Sequence, residues 1–157
     1  MKRIIILLCL LTLAGCKSKK TPAVPKPAPI PKVSKIDPEK VDEEQSNKAY
    51  DLGKRVLMTC NTSRFKPFTS SEATADVIKN TTQERLTKTC NNFRLKYGSF
   101  RDIHLVEVLR NRTNKTNIYR FKAAYEKKIA NKELRVIMND LNQVSAIKSL
   151  DWKDEFK

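Results

Sequence analysis

Two periodicities divide the chain. From about residue 37 to residue 97 the apolar positions recur at helical spacing, and from residue 100 to residue 150 they alternate with polar ones. Asp37 suits an N-cap and Pro38 the first helical position, while Glu39, Asp42, Glu43 and Glu44 match the positive end of a helix. Val41, Ala49, Leu52, Val56 and Leu57 then predict a helix ending near Cys60, with Gly53 as its weak point. Phe65, Pro67 and Phe68 read as a loop, and Ser70 or Ser71 as the cap of a short helix carrying Ala73, Val77 and Ile78. Thr81 opens a third helix with Glu84 placed for a capping box. Its apolar face takes in Leu86, Cys90 and Phe93, with Leu95 at the margin, and Tyr97-Gly98 closes it.

The period then shortens to two. Ile103, Leu105 and Leu109 fall on one face of a strand over 100–109, with His104, Val106 and Val108 on the other. Tyr119, Phe121, Ala123 and Tyr125 face one way along the next strand, and Arg120 and Lys122 the other. Leu134, Val136 and Met138 alternate with Glu133 and Arg135, Asn139-Asp140 turns, and Val144 to Leu150 makes a final strand. Three helices followed by a four-strand meander predict an α+β fold, with the helices on one face of an antiparallel sheet.

The longest apolar run lies ahead of all this. Lys2 and Arg3 precede Ile4 to Leu13, which only Thr12 interrupts, and Ala14-Gly15-Cys16 follows at once. A basic start, about 10 apolar residues and small residues at a cut site describe a secretory signal peptide, and the run is too short to span a bilayer. Leu13, Ala14, Gly15 and Cys16 resemble the lipobox of bacterial lipoproteins, in which the chain is cut before the cysteine and the cysteine is acylated. The resemblance implies lipidation of Cys16 and attachment to a membrane in the cell envelope; no acidic run of the sort linked to surface export in some lipoproteins follows Cys16, which favours a periplasm-facing orientation. Two or more acyl chains would hold the protein stably.

Composition changes the picture in two places. Pro22, Pro25, Pro27, Pro29 and Pro31 fall at near-alternate positions among lysines, which fits a semi-rigid spacer better than helix or sheet. The expected organisation is a signal peptide over 1–15, a lipidated cysteine with its Pro/Lys-rich linker over 16–36, and one domain over 37–157. The second change is charge: 32 basic against 17 acidic side chains give a formal net charge of +15. Arg110, Arg112, Lys115, Arg120, Lys122, Lys127, Lys128 and Lys132 concentrate the excess around the two central hairpins. Such a face suits anionic lipid, lipopolysaccharide phosphates or an acidic envelope protein. Nucleic acid is not expected, because the address is extracytoplasmic and no recognised binding motif occurs.

Lys96-Tyr97-Gly98, the stretch Tyr119-x-Phe121-x-Ala123-x-Tyr125, and Leu134-x-Val136 with Ile147 resemble small domains of the nuclear transport factor 2-like superfamily found in bacterial lipoproteins. The resemblance spans about residues 45 to 152 and implies helices folded over a curved four-stranded sheet to make a cone. Its matching positions are packing and turn positions, so it implies fold. Function is open, because the superfamily holds isomerases, dehydratases and non-catalytic binding modules.

Chemistry-bearing residues are few. Cys60 and Cys90 remain after the signal peptide and Cys16, and an oxidising compartment favours a disulfide between them over two buried thiols or a redox site. Zinc lacks ligands, because there is no Cys-x-x-Cys and His104 is the only histidine. No cofactor is implied. Asp102 and His104 share strand parity but lie beside charged Arg101, where a half-exposed histidine is the simpler reading. Glu107 shares parity with Ile103, Leu105 and Leu109; if that face is buried it needs a partner such as Arg120 or Arg135, or else sits in a cavity with a raised pKa, and an edge-exposed or ion-paired Glu107 is the simpler reading. Glu107, His104, Tyr119, Phe121 and Tyr125 are the candidate pocket of the cone interior. The leading expectation is a non-enzymatic binding or accessory module. A small-molecule pocket, isomerase-like in one version, and a structural envelope lipoprotein are the competing ones.

Overall fold

The computed structural model describes residues 32–156. The apolar run, Cys16 and the Pro/Lys-rich segment up to residue 31 lie outside the described residues. Five antiparallel strands form one open sheet in the order β1-β2-β3-β4-β5: β1 Val33–Lys35, β2 Phe100–Asn111, β3 Thr116–Tyr125, β4 Lys132–Asn139 and β5 Val144–Asp151. Three helices, α1 Glu43–Thr62, α2 Ala75–Asn80 and α3 Gln83–Tyr97, come between β1 and β2. The fold is therefore α+β.

The sheet has one strand more than the alternation predicts. Val33, Ser34 and Lys35 pair with Asn111, Arg110 and Leu109, so residues that composition assigns to the linker belong to the folded unit. Three residues carry no readable period, and their pairing spans more than 70 positions of chain. The first helix also starts later. Asp37 caps a 3-10 turn over Pro38–Lys40, Val41 is extended, and Asp42 caps α1 by accepting the Gln45 N–H at 3.0 Å. Similarly, Thr82 rather than Thr81 caps α3, accepting the Arg85 N–H at 3.4 Å, which removes Glu84 from the capping-box position.

Helix α1 lies across the sheet because Ala49, Leu52, Val56 and Leu57 form its buried stripe. They join Ile103, Val108, Tyr119, Phe121, Leu134, Val136 and Met138 in one core. Gly53 is where helix and sheet approach most closely: a Cβ there would stand 2.8 Å from Leu134 Cδ2 and 2.9 Å from Val136 Cγ2. Cys60 and Cys90 are joined as a disulfide that ties α1 to α3. Beside β5, the loop before α2 adds backbone bonds from Thr74 N–H to the Val144 carbonyl and from Val144 N–H to the Glu72 carbonyl. Leu95, placed at the apolar margin of α3 by its spacing, instead faces solvent.

Strand β2 departs from simple alternation at two register shifts, between Phe100 and Asp102 and between Leu105 and Glu107. The second reverses the faces. Val108 therefore joins Ile103 in the core opposite Tyr119, while Glu107 turns to the far side opposite Arg120. A single extra residue in an antiparallel strand has this effect because side-chain direction alternates with period two.

Candidate binding surface on the outer sheet face

The face of the sheet turned away from α1 carries charge where an open sheet normally meets water. Arg120, at the centre of β3, is fully buried there. Its guanidinium forks onto Glu133 of β4, with Nε to Oε1 and Nη2 to Oε2 both at 2.9 Å, and Glu133 is itself fully buried. Arg120 also bonds Glu107 of β2, and Arg135 bonds Glu133. Lys35 of β1 lies 3.4 Å from Glu107. Burial acts to raise the Glu133 carboxyl, but hydrogen bonds from Arg120 and Arg135 outweigh it and hold the group below its ordinary value.

The C-terminal segment covers this cluster. The Lys153 carbonyl accepts from Arg120 Nη2 at 2.6 Å, the Trp152 ring lies 4.7 Å from the Arg120 guanidinium, and the Phe156 ring 4.5 Å from that of Arg135. Planar guanidinium groups stack well on aromatic faces, and excluding water strengthens the ion pairs beneath. The alternation set Arg120 and Glu133 opposite the apolar positions of their strands and offered Arg120 as a partner for Glu107, which it is, but sequence reasoning passed over Trp152 and Phe156. Two aromatic rings in an otherwise polar tail were the available signal.

At the edge of the same region the shift in β2 opens a cleft of about 670 Å³. Its walls are Ile36, Val41 and the start of α1 on one side, and Leu105, Val106 and Glu107 on the other. Leu105 and Val106 are 41% and 49% exposed, unusual for aliphatic side chains inside a strand. Strand β1 pairs with Leu109–Asn111 and the Ile36 N–H bonds the Val108 carbonyl at 2.8 Å, so among the described residues β2 has no strand beside Leu105, Val106 and Glu107 on this edge. A second recess of about 190 Å³ lies beside the disulfide, lined by Val56, Leu57, Leu86, Phe93, Leu134 and Ile147 among others.

The five candidate pocket residues do not converge. Glu107 lies on the outer face, whereas Tyr119 and Phe121 are sealed in the core on the other. The Tyr119 hydroxyl donates to Gln45 Oε1 at 2.9 Å, and burial pushes its pKa up to about 12. Tyr125 stacks in an aromatic group with Phe93, Tyr97 and Phe100, where burial likewise pushes it up to about 12. His104 is exposed opposite Lys122, and Asp102 bonds Tyr50 and Lys54 of α1.

The eight basic residues are also dispersed. Arg112 and Lys115 stand exposed in the β2–β3 turn, beside Arg110, which is taken up by Asp140 at 2.8 Å. Lys127 and Lys128 lie in the β3–β4 turn, about 30 Å away along β3. Lys132 bonds Asp151 at 2.7 Å, Lys122 lies over Trp152, and Arg120 is the buried centre of the ion cluster.

No protein family, curated protein or solved structure matches this chain. Among the described residues, no group of three His, Cys, Asp or Glu side chains is placed to hold a metal ion, and no helix is long and apolar enough to cross a membrane. At the sheet edge the accessible features are an unpaired stretch of β2 and the exposed aliphatic side chains of Leu105 and Val106, while the charged cluster beside them is sealed under Trp152–Phe156.

Proposed function

We propose that this chain is a lipid-anchored cell-envelope protein, attached through Cys16, whose domain is a non-enzymatic binding module with a nuclear transport factor 2-like fold. The observation that carries the reading is the occupancy of the sheet's helix-facing side. Tyr119, Phe121, Leu134, Val136 and Met138 have at most 1% exposure there, so the space in which such a fold would hold a substrate is filled by side chains. The accessible space is instead the cleft outside β2, whose exposed Leu105 and Val106 suit docking of an envelope partner. The lipid anchor is supported by Lys2-Arg3, the apolar run to Leu13, and Ala14-Gly15-Cys16.

A second reading has one observation in its favour, the apolar recess beside the disulfide. At about 190 Å³ it is smaller than the ~300–1,000 Å³ usual for ligand sites, and its lining holds no acid, base or histidine. It fits a small apolar ligand and offers no group for proton transfer.

Photocrosslinking in the intact membrane separates the two. A benzoylphenylalanine at Val106 of the full-length protein is expected to capture an envelope component, while one at Leu86 in the recess captures none. Capture from Leu86 alone, with a small molecule retained in native mass spectrometry, would transfer the function to the recess.

A further inference from the structure

The end of the domain formed by the last turn of α3 and the β3–β4 turn exposes two large aliphatic side chains, Leu95 at 79% and Ile129 at 72%. Single exposed aliphatic residues are ordinary on a protein surface. Here the two belong to one structure. Lys127 donates its N–H to the Tyr97 carbonyl and its ammonium to the Leu95 carbonyl, each at 3.0 Å, which holds the turn against the helix end. Arg94, Lys96, Lys127 and Lys128 are all exposed around them. The neighbouring acids are engaged: Glu126 accepts the Ser99 N–H at 3.2 Å, and Asp151 is bonded to Lys132.

We infer that this end docks on the anionic phospholipid surface of the membrane that holds Cys16. Leu95 and Ile129 enter the boundary between headgroups and acyl chains, Arg94, Lys96 and Lys128 meet the phosphates, and Lys127 keeps the turn on the helix end. Aliphatic tips ringed by flexible cations match a lipid surface, which demands charge and apolar depth but no fixed shape. An acidic protein would require fixed complementarity, and the shallow groove along Asn91, Arg94 and Leu95 offers little. Nucleic acid would leave both aliphatic side chains without a role.

The inference rests on the membrane-anchored reading above, and the length of the chain permits it. The described chain begins at Lys32, whose carbonyl accepts the Arg112 N–H at the opposite end of the sheet. About 16 residues separate Cys16 from Lys32, a reach of roughly 50 Å at full extension, against about 30 Å along β3. The domain can thus lie down with its tip on the same bilayer.

The test uses the full-length lipoprotein reconstituted in vesicles with brominated acyl chains, carrying Ile129→Trp in a Trp152→Phe background. Flotation reports the anchor and indole quenching reports the tip. The expected result is flotation with either phosphatidylcholine alone or a mixture with phosphatidylglycerol. Quenching should be about threefold stronger in the mixture and fall with added salt or with Lys96→Glu/Lys128→Glu, which leaves the Lys127 bonds to the helix end in place. Leu95→Trp in the same background should report the same depth. Flotation without quenching at either position overturns the docking and leaves the anchor standing. Equal quenching in both vesicle types overturns the anionic selectivity. Failure to float overturns the anchor itself. Capture of an acidic envelope protein from position 129, with no quenching, would assign the tip to that partner instead.

Discussion

Replacing Arg120 by methionine tests the buried cluster most directly. Arg120 has no exposure and makes both of its long fork bonds to Glu133, which has none either. Methionine fills much of the space but leaves Glu133 with Arg135 as its remaining cation and leaves Glu107 with Lys35 at 3.4 Å. Removing one partner of a buried pair costs about 3–5 kcal/mol, because a charge stays desolvated without compensation. That is a large share of the ~5–15 kcal/mol total stability of a domain this size. Urea unfolding of the full chain, followed by far-ultraviolet circular dichroism, reads the loss directly. The paired change Arg120→Met/Glu133→Leu removes both charges and should recover most of it, giving a coupling of roughly 2 kcal/mol or more in a double-mutant cycle. The pH dependence supplies a second signature. In the native protein Glu133 is held below its ordinary value, so its contribution is present at neutral pH and is lost as pH falls below the unfolded value of about 4.3. Without Arg120, burial dominates and the carboxyl rises. The deficit of Arg120→Met should then be largest at pH 7 and shrink towards pH 4. A loss below about 1 kcal/mol with unchanged pH dependence would refute the account of a desolvated, mutually dependent cluster.

Three further outcomes follow from other parts of the fold. Reducing the Cys60–Cys90 bridge, which closes 30 residues of sequence, should cost roughly 3.6 kcal/mol on a chain-entropy estimate; unfolding with and without reductant measures it, and coincident curves would contradict it. Glu72 is forked by Arg55 at 2.7 and 3.0 Å and accepts the Thr69 N–H at 2.9 Å, and the Arg55 bonds lead in depressing its pKa to about 2. Its contribution of about 2–3 kcal/mol should be complete above pH 5 and lost as pH falls towards 2, so Glu72→Gln should flatten acid unfolding in that window. Gly53→Ala should destabilise by about 1–2 kcal/mol despite a helix-propensity gain of nearly 1, because the new Cβ meets Leu134 and Val136. A raised melting temperature would show that α1 can shift away from the sheet.

The two kinds of periodicity were legible because each reports a local geometry. Val56 and Leu57 repeat on a helix, and Tyr119, Phe121 and Ala123 alternate on a strand, whatever they pack against. The same local reasoning failed at Glu107 and Val108. One extra residue at Val106 reverses the parity of everything after it, and nothing in the residue types marks that position. It also missed β1, since three residues that pair across most of the chain have no local pattern, and it missed α1's true start because Asp37 and Asp42 are both competent caps.

The candidate site divides in the same way. Cysteine count and the expected extracytoplasmic address made Cys60 and Cys90 a candidate pair, which the structure bridges, whereas Cys16 as an anchor rests on the resemblance of Leu13-Ala14-Gly15-Cys16 to a lipobox. Whether a charged residue is solvated or buried depends on cross-strand register and on what covers it. Arg120 looks like any outward-facing arginine until Glu107, Glu133 and the returning Trp152–Phe156 segment surround it. Sequence determined the alternation of the sheet and the helical stripe, because those follow from neighbours along the chain. Tertiary structure decided which face is sealed, where the cleft opens and which charged side chains are desolvated, because desolvation is set by neighbours in space.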